Sequence, residues 1–182
     1  MMTKPWMLGC VAALALAGCG KQDEPSAATE NAADAAGDAT LAVGLDANSK
    51  LAAAAKSAGL EATLAGPGPY TLLAPSDAAF DKLPAGALDT LMKPESRAEL
   101  TAVLTHHVLP GTMLAADIGK AIDAGGGKAL IATMGGGTLT ATRDGDKIVF
   151  ADAAGTKAVV TTGDQKRSNG VVHQVDSVLM PS

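Results

Sequence analysis

The chain has 182 residues, which is enough for one domain of ordinary size with a leader but not for two packed domains. Apolar residues make up 47% of it, the net charge is −5, and the aromatic residues are Trp6, Tyr70, Phe80 and Phe150. Proteins that bind nucleic acid generally present a basic face with stacking aromatic side chains. The composition therefore argues against nucleic acid as a partner.

The first 18 residues have the three parts of a bacterial export signal. Lys4 is followed by a mostly apolar run from Pro5 to Leu16 and then by small residues. This run is shorter than the roughly 20 apolar residues that a membrane-spanning helix needs. Residues 1–18 are therefore predicted to be a signal peptide.

Cys19 ends the sequence Leu16-Ala17-Gly18-Cys19, which resembles the lipobox of bacterial lipoproteins. The resemblance implies that diacylglycerol is attached to the Cys19 thiol and that the leader is cut before it. The alternative is an ordinary secreted protein with a cysteine at this place. Two or three acyl chains give stable anchoring, so the membrane is an expected partner. Gly20 after the cysteine indicates an envelope lipoprotein at the outer membrane or facing the periplasm.

Residues 20–40 contain small and polar side chains without apolar periodicity. Pro25 and Gly37 disfavour a stable helix there, and no side chain is suited to a core. We therefore predict a lipidated cysteine and a disordered Ala/Asp-rich tether over residues 19–40. One folded domain is expected over residues 41–182.

The first part of this domain has the pattern of short helices around one strand. Helix formers from Leu51 onward end at Gly59, which suits a helix C-terminus. Residues 70–74 have the character of a buried strand. Ser76 or Asp77 is predicted to cap a short helix after that strand, with Phe80 facing inward.

A second helical stretch begins with a possible capping box from Ser96 to Glu99. The spacing that follows gives one apolar stripe, which predicts that His107 points to the core and His106 away from it. The stripe consists of Leu100, Val103, Leu104 and His107. A shorter helix from about Asp117 is predicted to end at the glycines 125–127.

After these glycines the apolar period changes to two, which is typical of strands. Asp144-Gly145 and Asn169-Gly170 are predicted to be turns, since such steps tolerate positive φ. Helices followed by strands indicate an α+β domain with a largely antiparallel sheet. The predicted strands cover residues 129–134, 138–143, 148–151, 158–162 and 171–179.

Three stretches, taken together, resemble the fasciclin (FAS1) family. They are Gly68–Pro84, His106–Gly111 and Asn169–Pro181. The resemblance implies a wedge of antiparallel β-sheets with several short helices packed against it, in a secreted or surface protein that mediates adhesion. It also implies structural motif positions at Pro75, His107, Asn169, Gly170 and His173.

In animal members of this family a Tyr-His pair and an Asp-Ile pair are linked to integrin binding. His106 occupies the tyrosine position beside His107, and Gln165 replaces the isoleucine after Asp164. The resemblance thus implies a possible interaction surface at His106, Asp164 and Gln165, while the replacements argue against integrin-type recognition. A surface protein or polysaccharide is the expected partner. A charged, exposed-looking loop such as residues 164–168 is, however, more often only a solvated turn, and that is the expectation for this segment.

Patterns typical of catalysis or metal binding are not found. The sequence has no HxxxH pair for zinc and no Gly-x-Ser-x-Gly elbow, although Ser76, His107 and Asp77 can be written as a triad. No Gly-Lys-Ser/Thr follows the glycine triplets. We therefore predict no enzyme activity, no metal and no cofactor, with His107 and His173 buried and each donating a ring N–H.

The sequence favours a lipid-anchored, non-enzymatic module for adhesion or interaction at the cell surface. The alternative is a module that binds a small apolar ligand in a groove between sheet and helices. A solvent-open apolar cavity would favour the ligand-binding alternative. A filled core with an exposed patch would favour adhesion.

Overall fold

The computed structural model describes residues 39–43, 45 and 49–181. The predicted signal peptide, Cys19 and the tether up to residue 38 lie outside the described residues. Among the residues that are described, no helix is both long enough and apolar enough to cross a bilayer.

Most helices come before residue 107, and one lies between the second and third strands. A 3₁₀ turn at Pro94–Ser96 leads into the fifth helix. The α-helices are α1 (Lys50–Ala58), α2 (Glu61–Ala65), α3 (Asp77–Asp81), α4 (Ala87–Leu91), α5 (Arg97–His106) and α6 (Ala115–Ala124).

The strands are β1 (Tyr70–Pro75), β2 (Val108–Pro110), β3 (Lys128–Ala132), β4 (Thr138–Asp144), β5 (Lys147–Ala151), β6 (Lys157–Arg167) and β7 (Gly170–Val175). They form one sheet in the order β2-β1-β7-β6-β5-β4-β3. The β1–β7 pair is parallel and the other neighbours are antiparallel. The predicted α+β class with a largely antiparallel sheet is confirmed.

The predicted ends of α1 and α3 are only partly confirmed. The hydroxyl of Ser49 accepts a hydrogen bond from the Ala52 N–H at the start of α1, and α1 ends at Gly59, whose φ is 75°. Ser76 precedes α3 as predicted, but its side chain makes no capping hydrogen bond. The Asp77 carboxylate accepts from the Lys50 N–H at 2.9 Å instead. Asp77 therefore stabilises the start of α1, a helix distant in sequence.

The predicted capping box at the start of α5 is wrong. Ser96 ends the 3₁₀ turn with φ −96° and ψ 11°, and its side chain makes no capping hydrogen bond. An N-cap residue normally has extended backbone, which lets its side chain reach the free N–H groups of the first turn. The predicted apolar stripe of α5 is nevertheless buried.

Strand β6 is longer than predicted, because it continues through residues 163–167. Its pairing with β7 contains register shifts between Val160 and Thr162 and between Thr162 and Gln165. Asp164 has a φ of 57°, which accommodates the irregularity. The segment expected to be a solvated turn is therefore mostly strand.

The core is divided between the two sides of the sheet. Helices α1 and α5 supply the largest share of the first cluster, which also contains Leu72, Ala74 and Val172 from the sheet. The second cluster lies on the other side of the sheet and contains residues of β3–β6 together with Ile118 and Ile122 from α6. Side chains pointing away from both clusters form the surface on which a partner can bind.

Candidate functional site

The predicted interaction residue His106 is buried, so the expectation that it points away from the core is wrong. Its side chain is 3% exposed. The loop at residues 135–137 covers it, since a Cβ on Gly137 would lie 2.6 Å from the ring carbon Cε1 of His106. Gly135 fixes this loop by donating its N–H to the Thr105 carbonyl at 3.1 Å. Burial lowers the pKa of His106, and the charge of Asp152 opposes that effect.

His107 links α5 to the C-terminal segment from inside the core. Its Nδ1 lies 2.8 Å from the Val103 carbonyl oxygen and donates to it, because a carbonyl only accepts. The other ring nitrogen, Nε2, then accepts the Leu179 N–H at 3.0 Å. The fully buried ring is held neutral, and burial lowers the pKa of His107 to about 4. Its predicted inward direction is confirmed.

His173 makes a similar link between β7 and the segment before α6. The ring is fully buried, and Nε2 donates to the Met113 carbonyl at 2.8 Å. Its Nδ1 accepts the Asp164 N–H at 3.2 Å. Both ring nitrogens of His107 and of His173 are thus used within the fold, as expected for buried histidines.

Asp164 is exposed but has a structural contact. Its Oδ1 accepts the N–H of Ala115, the first residue of α6, at 2.7 Å. A carboxylate at a helix N-terminus satisfies a free N–H and interacts favourably with the helix dipole. Asp164 therefore positions α6 against β6, a role that the sequence spacing did not indicate.

Asn169 and Gly170 connect the closing hairpin to the start of the domain. The side-chain oxygen Oδ1 of Asn169 accepts the Leu41 N–H, and the side-chain Nδ2 donates to the carbonyls of Leu64 and Gly66, each at 2.8 Å. Gly170 does not have the positive φ predicted for an Asn-Gly turn. A Cβ there would lie 2.0 Å from the Tyr70 carbonyl oxygen, so glycine is required by the close approach of β1. At Asp144-Gly145 the prediction holds, with a φ of 59° at Gly145.

Asp152 is a buried polar residue that the sequence reading missed. Its carboxylate accepts the Thr156 N–H at 2.8 Å and the Met180 N–H at 2.9 Å. Burial alone would raise the pKa of Asp152, but these hydrogen bonds outweigh it and lower the pKa overall. The sequence around it reads as an ordinary turn, and nothing local indicates that its side chain fastens the C-terminal segment.

Gln165 and Pro75 meet in an open groove, which we call the Gln165 groove. Its volume is about 320 Å³. The polar side chains along it come from β6, β7 and the starts of α1 and α3, and its floor belongs to the first core cluster. The polar residues are Ser49, Ser76, Asp77, Gln165, Arg167 and Gln174.

A second open groove, of about 530 Å³, lies on the other side of Arg167. We call it the proline groove, because Pro67 and Pro69 form one wall, opposite Lys166 and Ser168. Arg167 lines both grooves, so the two grooves are neighbours on the surface. Sequence reasoning had singled out Gln165 but not Arg167.

The apolar pocket beneath the helices is small. The enclosed pocket between α1, α2, α5 and the sheet has a volume of about 10 Å³, roughly that of one water probe. Ligand sites usually measure about 300–1,000 Å³. A small molecule therefore has no room between helices and sheet at this place. Among the described residues, no group of three or more His, Cys, Asp or Glu side chains is arranged to hold a metal ion.

Several known proteins are similar to this chain. Protein sll1483 of Synechocystis sp. is 37% identical over 142 residues, which are 78% of this chain and 71% of that protein. The pig transforming growth factor-beta-induced protein ig-h3 is 36% identical over 132 residues, 72% of this chain but 17% of that protein. The immunogenic protein MPB70 of Mycobacterium bovis is 34% identical over 114 residues, 63% of this chain and 51% of that protein.

A solved structure shows the same fold. It is that of a FAS1 domain pair from the insect cell adhesion molecule Fasciclin I, with a TM-score of 0.50 and 22% identity. The match covers 61% of this chain and 36% of that one. The fasciclin domain family itself matches residues 46–181. The chain therefore belongs to the fasciclin domain family.

Proposed function

We propose that this protein is an exported lipoprotein anchored through Cys19, whose fasciclin domain is a non-enzymatic adhesion module that contacts protein or polysaccharide at the cell surface. The observation that carries the proposal is the contrast between the pocket of about 10 Å³ beneath the helices and the open, mainly polar Gln165 groove of about 320 Å³. An open, polar-rimmed groove suits a surface contact better than capture of a small molecule. The lipobox-like sequence and the adhesion molecule among the structural relatives support it.

The contact surface that we assign to this function is the concave surface around Gln165 and Arg167. Gln165 and Gln174 present amide groups, which both donate and accept hydrogen bonds, and Asp77 adds an acceptor. His106 is not part of this surface because it is buried. Asp164 is next to Gln165 in β6, but its side chain contacts the start of α6 and does not line the groove.

Anchoring and contact are tested separately. Intact mass of the membrane-fraction protein should show the acyl chains on Cys19, and Cys19→Ala should release the protein from the membrane. The double variant Gln165→Ala/Gln174→Ala should then reduce cell aggregation or attachment while the protein stays anchored. Glu99→Ala, an exposed change on α5, is the matched control. Attachment unaffected by the double variant would refute the assigned surface.

A second candidate function rests on the proline groove. Its volume of about 530 Å³ is in the range of small-molecule sites, and Pro67, Pro69 and Leu114 give it apolar walls. A small apolar ligand is then the partner, bound in an open surface groove rather than between sheet and helices. Protection of the chain against thermal unfolding by such ligands, abolished by Leu114→Asp, would support it.

A further inference from the structure

Along β3–β6, the side of the sheet that faces away from the second core cluster is mostly exposed, apart from the buried Val149, and is rich in lysine and threonine; we call it the lysine face. Alternate residues of β3–β6, such as Ile131, Ala141 and Phe150, point into the second core cluster. The residues between them point to the opposite side. These are Lys128, Leu130 and Ala132 of β3, Thr138, Thr140, Thr142 and Asp144 of β4, Lys147, Val149 and Ala151 of β5, and Lys157, Val159 and Thr161 of β6.

The charge on this face is opposite to that of the whole chain. Lys128, Lys147 and Lys157 are exposed, and none of them forms an ion pair with a described residue. Asp144, which lies opposite Lys147 in the β4–β5 register, is the one acid on it. Three lysines and one aspartate give +2, in a chain whose net charge is −5. Asp176, beside β6, is already paired with Lys82 at 3.1 Å.

The register places the three lysines around an uncharged centre. Lys157 lies opposite Ala151, and Lys128 lies opposite Thr142. With strands about 4.8 Å apart and same-face neighbours about 6.8 Å apart along a strand, the lysine Cα atoms form a triangle with sides of about 12–16 Å. Thr142 and Val149 lie inside that triangle, and Thr140 lies just outside its Lys128–Lys157 edge.

We propose that the lysine face binds an anionic polysaccharide. Lysines complement carboxylate, sulfate or phosphate groups, and threonine hydroxyls form hydrogen bonds with sugar hydroxyls. Leu130, which is 72% exposed at the edge of the face, offers an apolar contact for the C–H surface of a sugar ring. This inference deepens the proposed function by naming a partner class, and it rests on that function only for the export of the protein.

The test is binding of the purified full chain, held in neutral-headgroup detergent micelles, to immobilised polygalacturonate, dextran and polyglutamate. We expect binding to polygalacturonate that weakens when salt is raised, and none to dextran. Lys128→Gln/Lys157→Gln should weaken polygalacturonate binding about five- to tenfold. The control Lys56→Gln/Lys93→Gln removes the same charge from exposed positions in the helical part and should change binding less than twofold.

Thr138→Val/Thr140→Val separates sugar recognition from charge alone. It should weaken polygalacturonate binding and leave the far-UV spectrum and thermal unfolding unchanged, since valine suits a strand. Equal binding of polyglutamate and polygalacturonate would overturn the assignment of a sugar polymer as the partner. Equal losses of polygalacturonate binding in Lys128→Gln/Lys157→Gln and in Lys56→Gln/Lys93→Gln would show that the lysine face is not the binding surface. Gln165 is on another surface, so Gln165→Ala/Gln174→Ala should leave polygalacturonate binding intact. A loss of polygalacturonate binding therefore tests the lysine face, and a loss of cell attachment in the glutamine variant tests the surface around Gln165.

Discussion

His107 should make the stability of the domain depend on pH in the range where carboxylates are still ionised. Burial lowers the pKa of His107 to about 4 in the folded state, from an ordinary pKa of 6.5. Because the folded pKa is the lower one, the stability provided by neutral His107 is fully present above about pH 6.5 and is lost as pH falls through about 4. Protonation would place an N–H on Nε2 directly against the Leu179 N–H, which has no other acceptor there.

The magnitude follows from the two pKa values. A difference of about 2.5 units corresponds to about 3 kcal/mol when the loss is complete, and to about 2 kcal/mol between pH 7 and pH 5. Urea unfolding of the wild type at these two pH values should show that loss. His107→Leu removes the titrating group, so its own loss over the same interval should be smaller by about 2 kcal/mol.

A control variant distinguishes titration from simple destabilisation. Leu100→Ala removes a buried side chain from the same helix and should cost about 2–5 kcal/mol at both pH values, with an unchanged difference between them. The His107 ring protons, followed by NMR, should titrate near pH 4. Titration near pH 6.5, or an equal pH dependence in wild type and His107→Leu, would refute the reasoning.

Three further predictions concern the residues that fasten the closing hairpin, each measured as the free energy of unfolding in urea. Asn169→Ala removes three hydrogen bonds and should cost about 3 kcal/mol at about 1 kcal/mol each; Asn169→Asp keeps the acceptor for Leu41 but sets a carboxylate oxygen against the Leu64 and Gly66 carbonyl oxygens, so it should cost at least as much, and a near-zero cost would contradict the assignment. Gly170→Ala should lower the free energy of unfolding more than Gly136→Ala does. The new Cβ at residue 170 would lie 2.0 Å from the Tyr70 carbonyl oxygen, whereas at residue 136 the alanine only has to adopt a positive φ. Asp164→Ala should cost about 1 kcal/mol by uncapping α6, and Asp164→Asn about half of that or less; no cost would mean that the contact is not a cap.

The sequence predicted best where one segment determines its own structure. The glycine that ends α1, the buried stripe of α5 and the Asp144-Gly145 turn depend on neighbours within four residues. The α+β class followed from the change of apolar period near residue 125. Where two segments distant in the chain meet, the predictions were wrong or incomplete.

Two residues show why such contacts escaped prediction. His106 lies on the side of α5 that helical periodicity leaves to solvent, and it is buried because the glycine loop after β3 returns over it. Asp77 has the spacing of a local cap, yet its carboxylate bonds to Lys50, 27 residues earlier. Helical periodicity and capping patterns describe neighbours in the sequence. They do not predict which distant segment packs against a given residue.

The residues that carry the family resemblance and the surfaces available to a partner are different parts of the molecule. Both ring nitrogens of His107 and of His173, and both amide hydrogens of Asn169, are used in internal hydrogen bonds. A partner must therefore contact other groups, such as Gln165 or the lysine face. Substituting a signature residue should lower the amount of folded protein while leaving binding per folded molecule unchanged, whereas substituting Gln165 should lower binding and leave unfolding unchanged. Measuring both quantities for each variant distinguishes a residue that builds the fold from one that touches the partner.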